Sequence, residues 1–91
     1  MRTGFGLDVH ALDGAPPLRL CGVVVSEIAG LSGTSDADAA AHAVGDALLG
    51  AAVLGDMGTH FPSSDEAMQG ADSMELLEQI VTMVRGAGFT V

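Results

Sequence analysis

Apolar and polar positions alternate without a break over residues 2–10. Thr3, Phe5, Leu7 and Val9 fall on one face, and Gly4, Gly6, Asp8 and His10 on the other. This period of two predicts a strand whose second face carries no bulk until its end, where two polar groups emerge. Residues 11–17, with Asp13-Gly14 and Pro16-Pro17, read as a turn. Residues 18–25 predict a second strand, antiparallel to the first across that short connection. Gly30 and Gly33 mark residues 26–34 as a loop.

The period then lengthens. Ser35 with Asp38 three positions later forms a capping-box pattern, and Asp36 adds negative charge where a helix dipole favours it. The stretch through Leu54 is rich in alanine and leucine and apolar nearly all round, which predicts a helix buried on several sides and stopped by Gly55. Residues 56–70, with Pro62, Ser63 and Ser64, are irregular. Asp72 with Glu75 caps a second helix, whose apolar positions are Leu77, Ile80, Val81 and Val84 and which ends at Gly86 and Gly88. Phe89, Thr90 and Val91 read as the opening of another strand. No repeat, low-complexity tract or internal boundary divides residues 1–91.

Charge changes the picture of partners. Twelve acids face three arginines and no lysine, for a net charge of −9. Nucleic-acid binding depends on cations that neutralise phosphates, so that class is excluded. An anionic ligand then needs its positive potential from a metal ion, a helix N-terminus or another chain. With 48% hydrophobic and 16% charged residues, the chain is not disordered. A chain of 91 residues buries only ~60% of its unfolded surface, so this apolar content points to surface meant for another subunit or for further chain. The apolar stretch over residues 37–54 is broken by Asp38, His42 and Asp46 and falls short of the ~20 residues of a membrane span. There is no membrane segment and no signal peptide in this reading. Cys21, the single cysteine, fits a reducing, cytoplasmic setting.

Asp8 and His10, two apart on a strand, leave by the same face. His42, one turn into the capped helix, is placed to meet them. One carboxylate and two imidazoles make a three-ligand set for a divalent metal, typically zinc, with a fourth position open to substrate. The plainer alternative is a polar strand end and a satisfied core histidine. Asp38, His42 and Asp46 form a polar stripe, and a carboxylate beside a ligand histidine can fix its tautomer. The helix start at Thr34-Ser35-Asp36 suits a phosphate, or is ordinary capping. The loop from Gly55 through Asp56, Met57 and Gly58 to Phe61, Ser63, Ser64 and Asp65 lines a pocket or lies on the surface. His60 reads as a solvated loop side chain and Cys21 as an inert buried one.

Taken in order, these segments carry a resemblance. Gly6-Leu7-Asp8-Val9-His10, Thr34-Ser35-Asp36-Ala37-Asp38, Ala41-His42-Ala43 and Asp46-Ala47-Leu48-Leu49-Gly50-Ala51-Ala52 are followed by Leu54-Gly55-Asp56-Met57-Gly58 and Phe61-Pro62. Together they resemble the N-terminal half of the 2-C-methyl-D-erythritol 2,4-cyclodiphosphate synthase family, across essentially all 91 residues. The resemblance implies an α/β (α+β) fold, a mixed sheet with helices on one face, assembling as a cytoplasmic homotrimer with sites between subunits. It implies zinc held by Asp8, His10 and His42, and magnesium or manganese as a second metal in the complete enzyme. It assigns substrate contacts to Asp8, His10, Thr34, Ser35, Asp56, Met57, Gly58, Phe61, Ser63, Ser64 and Asp65. The implied reaction is intramolecular: the 2-phosphate of a cytidine-diphosphate substrate attacks the β-phosphorus, closing a cyclic diphosphate and expelling CMP.

Three departures from the family pattern stand out. Thr34 replaces a histidine that assists phosphoryl transfer, and Ser63 replaces an aspartate that contacts the sugar-like hydroxyls. The family also continues for a comparable length, through a cytidine-binding loop and a Thr-Thr-Glu segment. The chain therefore reads as a fragment or truncated relative, expected to associate through unpaired strand edges and to be inactive alone. The alternatives are a non-catalytic metal-binding or assembly module and a metal hydrolase using bound water. Threonine can hydrogen-bond a phosphate oxygen but supplies no imidazole. Replacing Thr34 by histidine in the protein that carries this chain should raise kcat, within the roughly 10²–10⁴-fold range of acid–base help, at nearly constant KM. Steady-state kinetics decide it: a change in KM alone would remove the assigned role.

Overall fold

The computed structural model describes residues 1–33 and 35–91; Thr34, expected at the substrate, lies outside the described residues. The order is β1 (Leu18–Leu20), β2 (Val23–Ser26), α1 (Ala39–Ala51), α2 (Met57–His60), a 3-10 turn at Glu66–Met68 and α3 (Ser73–Gly86).

The predicted strand over residues 18–25 instead doubles back on itself. Leu20 pairs with Val23, so β1 and β2 are antiparallel arms of a hairpin closed by Cys21 and Gly22. Both turn residues have positive φ, 50° and 78°, the backbone of the tight two-residue turns that match strand twist. Cys-Gly lacks the usual Asn-Gly or Asp-Gly signal, which is why the pattern reads as one strand. Cys21 is consequently exposed rather than buried.

Residues 2–10 form no ladder among the described residues, contrary to the expected pairing with residues 18–25. They lie on α1. A Cβ at Gly4 would stand 1.9 Å from the Ala47 carbonyl oxygen, and one at Gly6 1.8 Å from that of Ala43. The segment thus advances two residues per helical turn, the pace of an extended chain. Its alternation is real, but the face without bulk is the one against the helix. Phe5, Leu7 and Val9, on the other face, are exposed.

α1 starts later and stops earlier than the composition suggests. Ala37 has φ +57°, outside helical space, and Asp38 is the N-cap, its carboxylate accepting from the Ala41 N–H at 2.9 Å. At the far end Val53, φ +57°, takes the left-handed position that closes the helix, two residues ahead of Gly55, itself at φ +96°. The Leu54 N–H reaches the Leu49 carbonyl at 2.8 Å and that of Val53 the Gly50 carbonyl at 3.1 Å, a Schellman closure. Leu54 packs on the core, the apolar contact that accompanies this motif and offsets the strain of a β-branched residue there.

α3 begins where the sequence places it, with Asp72 as N-cap accepting from the Met74 N–H at 2.9 Å. Its buried stripe is Leu76, Ile80 and Val84, while Leu77 and Val81 are only half-buried. Ile80 and Val84 join Leu49 and Ala52 of the α1 end in the core, with Met57, Phe61 and Phe89 packed around them. Phe89 thus serves the core and opens no strand among the described residues. The result is an α/β arrangement with a small antiparallel sheet.

Gly6→Ala should lower stability by about 1–3 kcal/mol, the cost of overpacking, because a methyl group must displace the backbone of α1. Gly50→Ala, where a Cβ meets nothing within 4 Å, should be neutral or stabilising by up to about 1 kcal/mol through helix propensity. Urea unfolding midpoints of the two variants give the comparison.

Candidate metal centre and adjoining cavity

The contact of residues 2–10 with α1 carries Asp8 and His10 along the helix toward its N-terminal end, where His42 follows the Asp38 cap by one turn. Three atoms converge there. Asp8 Oδ2 lies 2.7 Å from His10 Nε2 and 3.0 Å from His42 Nδ1, and the two ring nitrogens are 3.4 Å apart. All three residues are half-buried.

The far sides of the rings decide what the near sides can offer. His10 Nδ1 is 2.8 Å from the Ser32 carbonyl, which only accepts, so that nitrogen carries the proton. Neutral His10 therefore turns a bare Nε2 toward Asp8. His42 Nε2 is 2.7 Å from Ser73 Oγ and 3.2 Å from Ser35 Oγ. Two imidazole nitrogens and a carboxylate oxygen are thereby aimed at one point. Lone pairs so close repel unless a cation lies among them. This donor set, two imidazoles and one carboxylate within 4.8 Å of one another, suits a divalent transition metal.

The polar stripe of α1 divides its labour. Asp38 is fully buried and turned away from the site: its Oδ1 accepts from the N–H groups of Cys21 (2.8 Å) and Ala41, and its Oδ2 from that of Gly22 (2.7 Å). It ties the hairpin turn to the helix start. Asp46 Oδ1 accepts from the Met57 N–H at 2.7 Å and anchors α2. Neither touches His42 as a tautomer-fixing carboxylate would. The carboxylate that stands behind His42 is Asp36, through Ser73.

A cavity of about 270 Å³ opens beside Asp8, His10 and His42 and is lined by Ser35, Met57, Gly58, Phe61, Ser63, Met68 and Leu76 as well. Of the expected substrate contacts, Asp8, His10, Ser35, Met57, Gly58, Phe61 and Ser63 border this space; Asp56, Ser64 and Asp65 do not. Asp56 is exposed and caps α2, accepting from the Thr59 N–H (2.8 Å) and hydroxyl (2.7 Å). The Thr59 hydroxyl first, and its backbone N–H second, hold the Asp56 carboxyl below the usual carboxylate range. Asp65 caps the 3-10 turn by accepting from the Ala67 N–H. At the helix start the N–H groups of Asp36, Ala37 and Asp38 are taken by the Ala71 carbonyl, Ser35 Oγ and Asp36 Oδ1, so capping prevails there over a phosphate cradle. His60 is exposed, as expected, though it ends α2 rather than sitting in a loop, with Nε2 2.6 Å from the Leu54 carbonyl.

Sequence reasoning missed Ser73, Met68 and Leu76. A signal for Ser73 exists: it continues the stripe Leu76, Ile80, Val84 by one turn, a hydroxyl on a buried face.

The profile of the YgbB family matches residues 1–91. The chain belongs to the YgbB family. Among curated relatives, the 2-C-methyl-D-erythritol 2,4-cyclodiphosphate synthase of Salinibacter ruber is 55% identical over 89 residues, 98% of this chain and 57% of that one. The protein of the same name from Syntrophobacter fumaroxidans is 54% identical over 91 residues, all of this chain and 57% of its own. The chain thus spans somewhat over half the length of these relatives. Its fold superposes on the bifunctional IspDF of Campylobacter jejuni with a TM-score of 0.88 at 46% identity, covering 92% of this chain and 23% of that one. A CDP-bound 2C-methyl-D-erythritol-2,4-cyclodiphosphate synthase superposes with a TM-score of 0.84 at 41% identity, covering 96% of this chain and 58% of the other.

Asp38→Ala should destabilise the protein by roughly 3 kcal/mol, because three backbone donors lose their acceptor at once. It should do so without removing a metal ligand. Thermal unfolding and metal content together test this: a loss of metal from a variant of unchanged stability would return Asp38 to the site.

Proposed function

We propose that the protein carrying this chain is a 2-C-methyl-D-erythritol 2,4-cyclodiphosphate synthase, a phosphorus–oxygen lyase of non-mevalonate isoprenoid biosynthesis. The observation that carries the reading is the convergence of Asp8 Oδ2, His10 Nε2 and His42 Nδ1 beside a cavity in a chain of this family. Zinc is the metal we assign to these ligands, with magnesium or manganese as a second ion in the complete enzyme. A bound zinc supplies Lewis-acid polarisation and neutralises charge on phosphoryl oxygens.

In this proposal the chain's own groups position the substrate. Ser35 and Ser63 offer hydroxyls to phosphate and polyol oxygens, and Gly58 lines the cavity with backbone alone. Met57, Phe61 and Leu76 exclude water from the reacting diphosphate. Asp56 and Asp65 act at one remove, holding the loops whose neighbours border the cavity. Held in line, the 2-phosphate oxygen attacks the β-phosphorus; the new P–O bond forms as the bond to CMP breaks, and CMP leaves with the electron pair. Folding the substrate on itself is the main contribution, since it makes an intramolecular step from groups already in contact range. The exposed row Phe5, Leu7 and Val9 with Val23 and Val25 supports a homotrimer as the working form. Among the described residues no helix is long and apolar enough to cross a membrane; the cytoplasm is the compartment we assign.

The test uses the protein carrying this chain, 4-diphosphocytidyl-2-C-methyl-D-erythritol 2-phosphate and zinc with magnesium. Phosphorus NMR should show the cyclic diphosphate and CMP in equal amounts. His42→Ala should lower zinc affinity by well over ~10-fold, more than loss of a supporting group would, and stop turnover. Open-chain phosphate products would indicate a hydrolase, and zinc binding without product a metal-binding module; unchanged zinc content in His42→Ala would sink the site itself.

A further inference from the structure

Behind His42, on the side away from Asp8, lies a chain of polar groups, of which Ser73 and Asp36 have no part in the proposed reaction. Ser73, the first residue of α3, is 1% exposed. Its Oγ is 2.7 Å from His42 Nε2 and makes a short contact with Asp36 Oδ1. Its backbone N–H donates to Asp36 Oδ2 at 3.1 Å, so both carboxylate oxygens face the same residue. Ser35 Oγ stands 3.2 Å from the same ring nitrogen and 3.5 Å from Ser73 Oγ.

The proton count at these groups has one solution for a neutral ring. An ionised carboxylate only accepts, and a serine hydroxyl has one proton to give. Ser73 gives it to Asp36. Its remaining lone pairs then require a donor, and the atom 2.7 Å away is His42 Nε2. The ring proton therefore sits on Nε2, and Nδ1 keeps its lone pair toward Asp8 and His10. Were Nε2 bare, Ser73 would have to satisfy two acceptors with one hydrogen. Burial raises the cost of that mismatch.

We propose that Ser73 and Asp36 are positioning residues that hold His42 in the Nε2–H tautomer and so keep Nδ1 available as a donor to a divalent cation. This rests on the metal-site reading above. It also explains why three separate segments meet at one histidine. Asp36 precedes α1, His42 lies in its first turns, and Ser73 opens α3, so the packing of α3 on α1 sets the donor atom. His10 is oriented in the same sense by a backbone carbonyl alone, which no side-chain substitution removes.

Two measurements on the protein carrying this chain test the relay, using zinc alone as the probe. Long-range proton–nitrogen NMR of the histidine rings, at a pH where His42 is neutral, reads the tautomer in the metal-free protein. Competition with a chromophoric chelator reads zinc affinity. The parent should show the Nε2–H pattern at His42. Ser73→Ala should give a mixed tautomer and 10–100-fold weaker zinc binding, the usual size for loss of a ligand's supporting partner. Ser73→Thr, which keeps the hydroxyl, should recover both. If Ser73→Ala does not fold, Asp36→Asn reads the same quantities and should shift them in the same direction. An unchanged tautomer and unchanged affinity in the folded variant overturn the relay while leaving the metal site standing. Failure of the parent to bind zinc overturns the metal site itself.

Discussion

The contact between a side-chain-free face of residues 2–10 and the backbone of α1 is the constraint on which the site depends. Gly4 and Gly6 come so near the Ala47 and Ala43 carbonyls that no other residue fits without displacement. Because the segment keeps pace with the helix, two residues to a turn, the next two positions on that face reach the level of His42. Asp8 and His10 are therefore aimed by the glycines that precede them. A strand whose inner face carried ordinary side chains would stand farther from the helix, and three donor atoms could not then lie within 4.8 Å.

The acidic composition has a structural use that net charge conceals. Asp38, Asp56, Asp65 and Asp72 each cap a helix or turn by accepting backbone N–H groups, and Asp36 and Asp46 accept others from Ser73 and Met57. In a chain this short, loops cannot lean on a large core. Charge-assisted bonds to backbone donors take over part of that task. Asp8 is used differently: half-buried, its Oδ2 meets only ring nitrogens, where a cation would fit. Asp13, which caps nothing either, is exposed.

Much of this was legible from spacing. Spacing offered Asp8, His10 and His42 as one of two readings and the family resemblance chose between them, while Asp72 begins α3 as its cap requires. The misreadings share a physical origin: each hinged on a competition that local pattern does not settle. Ser35 and Asp38 both suit an N-cap, and the buried carboxylate wins because it also serves the hairpin turn. Val53 takes the left-handed position ahead of Gly55 because Leu54 gains core contact by it. Cys21-Gly22 turns the chain without the usual residues, since the apolar arms of the hairpin pair equally well in either reading. Ser73 stayed hidden because its partner residues lie over thirty positions away.

The proposed chemistry poses an electrostatic problem that the geometry narrows. A diphosphate must be brought to a chain of charge −9 with three arginines. None of them borders the cavity. Arg2 lies beyond the opposite end of α1, over the Phe89 ring at 4.5 Å and 3.3 Å from the Ala51 carbonyl, where it complements the negative end of the helix. Arg19 and Arg85 sit on the hairpin and in the last turn of α3. Among the described residues no arginine or lysine supplies positive potential at the cavity, and a cation would be held where Asp8, His10 and His42 converge. A divalent ion held there would turn a locally negative centre into an attractive spot for phosphate. In the proposed reaction a metal held there would serve to recruit the substrate as well as to polarise it, with any further cation supplied by a second ion or by chain outside these residues.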